Sequence, residues 1–344
     1  MKLYLQDGSV FEGENFGASI ATGKAVTGEV VFNTGMVGYV ESLTDPSYAG
    51  QILVCTYPLI GNYGVPHAKF FESSRIHLAG LIVSEYSQQY SHSAAIKSLG
   101  VWLKASGVPA LTGIDTRAVT KRLREQGVMR GAISNSKPKK LAESDMDWVR
   151  SVSPKKRTVY GDGKIRIVAV DCGMKENIVR SLCRPETTVI RVPSHYDFAG
   201  EDYDALFISN GPGDPTQCTE TISHIQKAMQ QKKPILGICL GNQLLALAAG
   251  ASTYKLRYGH RSQNQPVMDT TSERCYITSQ NHGYAVNAAS LPLDWEEWFI
   301  NANDQSNEGI RHKTMPWRSV QFHPEACPGP VDTAWIFDEF LRSL

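Results

Sequence analysis

No Cys-x-x-Cys pair occurs in this chain, and its seven cysteines are an odd number. A disulfide scaffold and a zinc ribbon are both disfavoured by that count. His323 and Cys327 have a spacing that could supply half of a zinc site, but the sequence offers no second half, so no metal is expected. No apolar run approaches the 18 or so residues needed to span a bilayer, so no membrane partner is expected. Neither sign of charge dominates: 35 basic residues face 34 acidic ones, for a net charge of +1. No bulk field therefore recruits nucleic acid or an anionic membrane. Internal repeats and low-complexity segments are absent, and the short basic runs Lys137-Pro-Lys-Lys140 and Lys155-Lys-Arg157 read as solvated loop. The phosphate-binding pattern Gly-x-x-x-x-Gly-Lys-[Ser/Thr] is missing as well, which leaves no ATP site of that kind. The opening Met1-Lys-Leu-Tyr-Leu-Gln-Asp-Gly8 reads as a strand and hairpin turn, unlike a signal or transit peptide. Cytoplasm is the default expectation.

What is present is an ordinary globular composition, with 42% apolar and 20% charged residues. A length of 344 residues favours two domains. Residues 1–140 carry short β patterns: strands are expected over 26–32, 51–57 and 78–85, with helices over 94–105 and 117–126. Residues 141–164 read as a linker, because the apolar pattern gives way to Lys, Ser, Pro and Gly. From 165 to 344 strand and helix alternate: strands over 165–170, 188–192, 205–208 and 234–238, a helix near 176–183, and a last helix starting near Asp332. This predicts a doubly wound, mostly parallel α/β sheet, joined to an N-terminal β-rich α/β domain.

One cysteine stands apart from the other six. In Pro234-Ile-Leu-Gly-Ile-Cys-Leu-Gly-Asn-Gln243, an apolar strand runs into Cys239, with Gly237 two residues before it and Gly241 two after. Leu244 to Ala249 reads as an apolar helix. A nucleophile between two glycines at a strand-to-helix turn has the logic of the Gly-x-Ser-x-Gly elbow with sulfur in place of oxygen. The helix N-terminus favours negative charge on that sulfur. A nucleophile also needs a base and a group to orient it. Ser319-Val-Gln-Phe-His-Pro-Glu-Ala326 supplies candidates: Pro324 biases His323 towards extended backbone, which lets His323 and Glu325 share a face. On its own, His-x-Glu is a weak signal that reads first as a surface pair or a metal fragment. Beside the elbow it reads as base and orienter. Ser209-Asn-Gly-Pro-Gly-Asp-Pro215 follows a strand, where open α/β sheets build their sites. Its glycines would bring N–H groups close to a ligand, or simply make a turn.

These three pieces, in this order, resemble the class I, triad-type glutamine amidotransferases. Thr44-Asp-Pro-Ser-Tyr48, Thr56-Tyr-Pro-Leu-Ile-Gly-Asn-Tyr-Gly64, Gly113-Ile-Asp-Thr-Arg117 and Ser279-Gln-Asn-His-Gly283 extend the resemblance to the glutaminase subunit of carbamoyl-phosphate synthetase, over nearly the whole chain. Phe71-Glu-Ser-Ser74 and Asn301-Ala-Asn-Asp304 are most similar to the fused eukaryotic pyrimidine-pathway type. The resemblance implies Cys239 as nucleophile, His323 as base and Glu325 as orienter. It also implies glutamine binding by Ser47, Gly211, Gly213, Leu240, Gln243, Asn281, Gly283 and Tyr284. Ser47 would then bring the first domain into the glutamine cleft, although by itself it reads as a turn hydroxyl. Asn242 departs from the family, which usually has His there.

The activity implied is hydrolysis of L-glutamine through a cysteine thioester. Ammonia would pass to a carbamoyl-phosphate synthetase component, which uses ATP and bicarbonate and is not part of this sequence. No cofactor is expected in this chain, and no nucleic-acid partner. The chain is expected to be a separate subunit or a piece of a larger polypeptide. Two alternatives remain: a catalytically silent docking or regulatory module of the same complex, and a free-standing cysteine amidase. An α/β-hydrolase relative is disfavoured, because those enzymes place the acid before the histidine and well separated from it.

Overall fold

The computed structural model describes residues 1–141 and 146–344. The chain divides into two compact units, Met1–Met146 and Asp147–Leu344.

The first unit is built on an eight-stranded mixed sheet. Its centre is parallel: Ala25–Asn33, Gln51–Cys55, Gly80–Ile82 and Ala110–Thr112 lie side by side. Met129–Ser134 and Lys2–Leu5 extend it antiparallel on one side. The central strands bury Val31, Leu53 and Leu81 completely, and with Leu43 and Tyr48 these form one core. Two helices start at side-chain caps, Leu99–Ala105 at Ser98 and Thr116–Gln126 at Asp115. The first was expected from Ala94. It starts later because the backbone just before Ser98 is already committed: Val65 N–H donates to Lys97 O, and Ile96 N–H to Val65 O, both at 2.9 Å. The strand expected over 78–85 also breaks. Gly80–Ile82 stays in the main sheet, while Glu85–Tyr86 pairs with Leu59–Ile60 in a separate two-stranded ladder.

The second unit has a ten-stranded sheet. Thr187–Pro193, Ile165–Asp171, Ala205–Ile208, Ile235–Ile238 and Trp317–Val320 run parallel in that spatial order. Their residues are buried on both faces: Val168, Val170 and Leu206 join one core, and Ile167, Ala169 and Phe207 the other. This explains why the strands read as continuous apolar runs instead of alternating ones. The sheet continues as an antiparallel arm through Asn307–His312, Trp295–Asn301, Thr253–Asp269 and Cys275–Val286. The last helix, Trp335–Arg342, buries Ile336, Phe337 and Phe340 against the second core.

The stretch read as a linker contains ordered structure. Asp147 caps a short helix, Trp148–Val152, whose Val149 enters the second unit's core. Thr158–Tyr160 pairs antiparallel with Thr187–Pro193 at the sheet edge. Short elements held by a single cap or one edge ladder leave too few apolar positions for a periodic signal. The part of that stretch at 142–145 lies outside the described residues.

Candidate active site

The elbow forms where the strand Ile235–Ile238 ends. Cys239 takes φ 55° and ψ −104°, a conformation that L-residues rarely adopt. The helix Leu240–Ala248 starts immediately after it, four residues earlier than the apolar pattern alone indicated. Cys239 N–H donates to Val320 O at 2.8 Å, which ties the elbow to the neighbouring strand. The glycine at 241 has a steric cause, since a Cβ there would lie 2.1 Å from the Ile208 carbonyl oxygen. The Ser209–Pro215 loop is packed just as closely: a Cβ on Gly211 would meet Cys172 O at 2.1 Å and the Leu240 side chain at 2.8 Å. Gly213 adopts φ +91°. The loop and the first helical turn, with the Leu240 N–H, are thus brought together beside the sulfur.

His323 and Glu325 follow the strand Trp317–Val320, next to the elbow strand. His323 N–H donates to Ser279 O at 2.9 Å. Its Nδ1 lies 2.6 Å from Glu325 Oε1, and both side chains are buried. Nε2 is buried and makes no hydrogen bond of ordinary geometry, yet Cys239 is close enough to influence it. Burial alone would push the imidazole pKa down, but the charges of Glu325 and Cys239 outweigh that and raise it to about 10. Burial would likewise push Glu325 up, but Lys175 first and His323 second hold it down at about 2. The arrangement therefore favours an imidazolium next to a carboxylate in a dry site.

Lys175 was not anticipated from the sequence. It is buried, with Nζ 3.1 Å from Glu325 Oε1, and it also donates to Ala326 O. The turn after the strand Ile165–Asp171 delivers it: Asp171 Oδ1 accepts from the N–H groups of Gly173 and Met174, each at 2.7 Å. Asn210 Oδ1 then accepts the Lys175 N–H at 3.2 Å. Asn177 Nδ2 donates to Glu325 O. The only signal in the sequence is a lone lysine just after a parallel strand, at the carboxyl edge where such sheets place function.

The residues inferred for glutamine binding divide by unit. Within the second unit, Gly211 packs on the Leu240 side chain, Gly213 faces Trp148 and Gly283 faces the Arg261 guanidinium. Cys239 Sγ lies 3.7 Å from Asn281 O, and Gln243 Nε2 donates to Tyr284 O at 2.9 Å. Gln243 and Asn242 both donate to Gln321 Oε1, at 3.0 and 3.2 Å, and Ser319 Oγ donates to Asn242 Oδ1 at 2.8 Å. Asn242 is thus fully engaged in a buried network that joins the elbow helix to the His323 strand. Ser47 belongs to the first unit, where it is buried in the turn Pro46–Tyr48 and its N–H donates to Asp45 Oδ1 at 2.9 Å.

Among the described residues no helix is long and apolar enough to cross a membrane. Residues 3–133 match the family described as carbamoyl-phosphate synthase small chain, CPSase domain, and residues 168–343 match glutamine amidotransferase class-I. The multifunctional protein CAD of Squalus acanthias is 52% identical over 99% of this chain. The multifunctional protein URA2 of Saccharomyces cerevisiae is 47% identical, also over 99%. The chain spans only 16% and 17% of those two proteins. The carbamoyl phosphate synthase arginine-specific small chain of Aspergillus niger is 48% identical, over 99% of this chain and 79% of its own length. With a family match on each unit and relatives near half identity from end to end, this chain belongs to the carbamoyl-phosphate synthase small-chain family, and its second unit is a class-I glutamine amidotransferase domain.

Proposed function

We propose that this chain hydrolyses L-glutamine to glutamate and ammonia, with Cys239 as nucleophile, His323 as acid and base, and Glu325 as orienter. The observation that carries this reading is the Cys239 elbow, held at positive φ beside a buried His323–Glu325 pair. The Cys239 thiolate attacks the side-chain amide carbon. The resulting oxyanion is met by the N–H groups of Leu240 and Gly211, pre-aimed donors of the kind that stabilise developing charge. His323 Nε2 gives its proton to the amide nitrogen, the C–N bond breaks, and ammonia leaves a γ-glutamyl thioester. Water then attacks the thioester, losing a proton to His323, and glutamate departs with the thiolate restored. Every group in this sequence is a side chain or main-chain donor of the protein, so the chain needs no cofactor of its own.

Gln243, Asn281, Gly283, Tyr284 and Gly213 would hold the glutamine. This chain would act with an ammonia-using carbamoyl-phosphate synthetase component, separate or fused. That component would use the ammonia with bicarbonate and ATP, for pyrimidine or arginine synthesis. We place the work in the cytoplasm. Two measurements test the reading. Cys239→Ser should abolish glutamine hydrolysis while glutamine still binds, and a glutamine-mimicking electrophile should label Cys239 with one equivalent. Labelling at Cys275 or Cys327 would refute the nucleophile. Adding a cognate synthetase with ATP and bicarbonate should raise kcat and yield carbamoyl phosphate, whereas full-rate hydrolysis unaffected by the partner would indicate a free-standing amidase.

A further inference from the structure

The antiparallel arm of the second unit carries a buried cluster that glutamine hydrolysis does not use. His260 on the strand Thr253–Asp269, His282 on Cys275–Val286 and Glu308 on Asn307–His312 are all buried. One ligand atom from each lies within 4.8 Å of the others. His260 and His282 are partners across the ladder, with ring centroids 4.9 Å apart. Glu308 Oε1 is 3.2 Å from His260 Nδ1 and 3.8 Å from His282 Nε2.

Following the hydrogens exposes a surplus of acceptors. Thr278 Oγ1 gives its hydrogen to Gln265 O at 2.9 Å, so it must accept from Gln280 Nε2 at 3.2 Å. That fixes the Gln280 carboxamide, with Oε1 turned to His282 Nε2 at 3.2 Å. His282 Nδ1 lies 2.8 Å from Tyr284 O. A carbonyl only accepts, so Nδ1 carries the ring proton and Nε2 of the neutral ring presents a lone pair. That lone pair faces two oxygens, Gln280 Oε1 and Glu308 Oε1. Glu308 Oε2 is buried with no hydrogen-bond partner. The His282 Nε2 lone pair and the unpartnered Glu308 Oε2 thus stay uncompensated, while Glu308 Oε1 is served by Asn301 Nδ2 and by a proton on His260 Nδ1 that a metal ion would replace.

The outer nitrogens of both rings are anchored as metal-bound imidazoles usually are. His260 Nε2 lies 2.8 Å from Asp304 Oδ2, and His282 Nδ1 donates to the Tyr284 carbonyl. Asn301 Nδ2 steadies the carboxylate by donating to Glu308 Oε1 at 3.1 Å. We propose that His260 Nδ1, His282 Nε2 and the Glu308 carboxylate form a site for a divalent ion of the zinc class, with Gln280 Oε1 at its edge. Two imidazoles and a carboxylate are a donor set that zinc uses, and bonds of about 2.0–2.2 Å put tetrahedral ligand atoms about 3.3 Å apart. Glu308 stands 3.2 and 3.8 Å from the two imidazole nitrogens, near that value, and with all three atoms within 4.8 Å of one another the rings must turn inward to close the site. His282 sits between Asn281 and Gly283. A cation here would pin the strand that carries the glutamine-site residues, without touching the reacting atoms.

The test uses the full chain and metal ions alone, so its outcome does not depend on the glutaminase reading. The chain is freed of metal with a chelator and titrated with Co²⁺ under visible absorption, then with Zn²⁺. One Co²⁺ per chain is expected, with a ligand-field band of tetrahedral intensity that Zn²⁺ abolishes. Glu308→Gln should lose the band. Asp304→Asn, which alters an exposed side chain and leaves the ligands in place, should weaken binding by about 10–100-fold. Absence of the band at stoichiometric Co²⁺ would overturn the site. So would sulfur-to-cobalt charge transfer, which places the ion on a cysteine, or unchanged affinity in both variants.

Discussion

Removing Lys175 tests how the charged site is held together. Lys175 and Glu325 are 3% and 4% exposed, and their charged atoms are 3.1 Å apart. Lys175→Met keeps an unbranched side chain one atom shorter and leaves the Glu325 carboxylate with His323 as its remaining counter-charge. Two routes give the magnitude. Glu325 is held at about 2 instead of 4.5, against burial and chiefly by Lys175 and then His323; a displacement of that size corresponds to about 3 kcal/mol. Removing one member of a buried pair usually costs about 3–5 kcal/mol. A loss of about 3 kcal/mol is therefore expected at pH 7. The sign in pH follows from the depressed carboxyl. Its stabilisation is complete above the ordinary value of 4.5 and disappears as pH falls through 2, so the gap between wild type and variant should narrow below about pH 4.5. Urea unfolding followed by tryptophan fluorescence measures both. The double variant Lys175→Met, Glu325→Gln removes the stranded charge and should recover much of the stability. It should recover no activity, since the orienting carboxylate is then gone. A cost below about 1 kcal/mol, as for exposed pairs, or a double variant no more stable than Lys175→Met, would refute the reasoning.

Other outcomes follow from the same geometry. His323→Asn should nearly abolish hydrolysis, while Glu325→Gln should cost less, within the roughly 10²–10⁴-fold usual for acid–base groups; equal, negligible losses in steady-state kinetics would contradict the assignment. In Glu325→Gln the alkaline limb of kcat/KM should move down from about 10, because burial then acts on His323 with less opposition. Gly241→Ala forces a Cβ to within 2.1 Å of Ile208 O, so a thermal melt should show a loss at or above the upper end of the roughly 1–3 kcal/mol seen for overpacking.

The parallel half of the second unit was legible because burial on both faces writes itself as contiguous apolar runs, such as Ile167 to Val170 and Ala205 to Ile208. Its antiparallel arm was not. Thr253–Asp269 alternates exposed, half-buried and buried positions around two register shifts, at 255–260 and 262–265. Irregularities of that kind erase the period of two on which strand reading depends. The helix starts expected at 94 and 244 were misplaced for a related reason, whereas those near 117 and 176 were met. Periodicity locates the buried face of a helix but not its first turn. Leu240 to Gln243 carry no amphipathic pattern, because that whole turn is buried.

The candidate site divides along the same line. Cys239, Gly237 and Gly241 are legible together because an elbow is a local object: the strained backbone, the sulfur and both glycines fall within five residues, although the oxygen that excludes a side chain at Gly241 belongs to Ile208. The His323–Glu325 pair is local too, since extended backbone puts alternate residues on one face. Lys175 is separated from Glu325 by 150 positions, and nothing near it in sequence states its purpose. Its role depends on the parallel order of the sheet, which sets the carboxyl end of Ile165–Asp171 on the same edge as the loop after Trp317–Val320, with two strands between them. The same holds for His260, His282 and Glu308, drawn from three strands of the arm whose side chains meet only in the fold. Motifs record chemistry whose geometry the chain can impose within a turn. Charges that act through a third residue are recorded only in the topology. For that reason the variants most informative about this site are those at Lys175 and Glu308, which no motif contains.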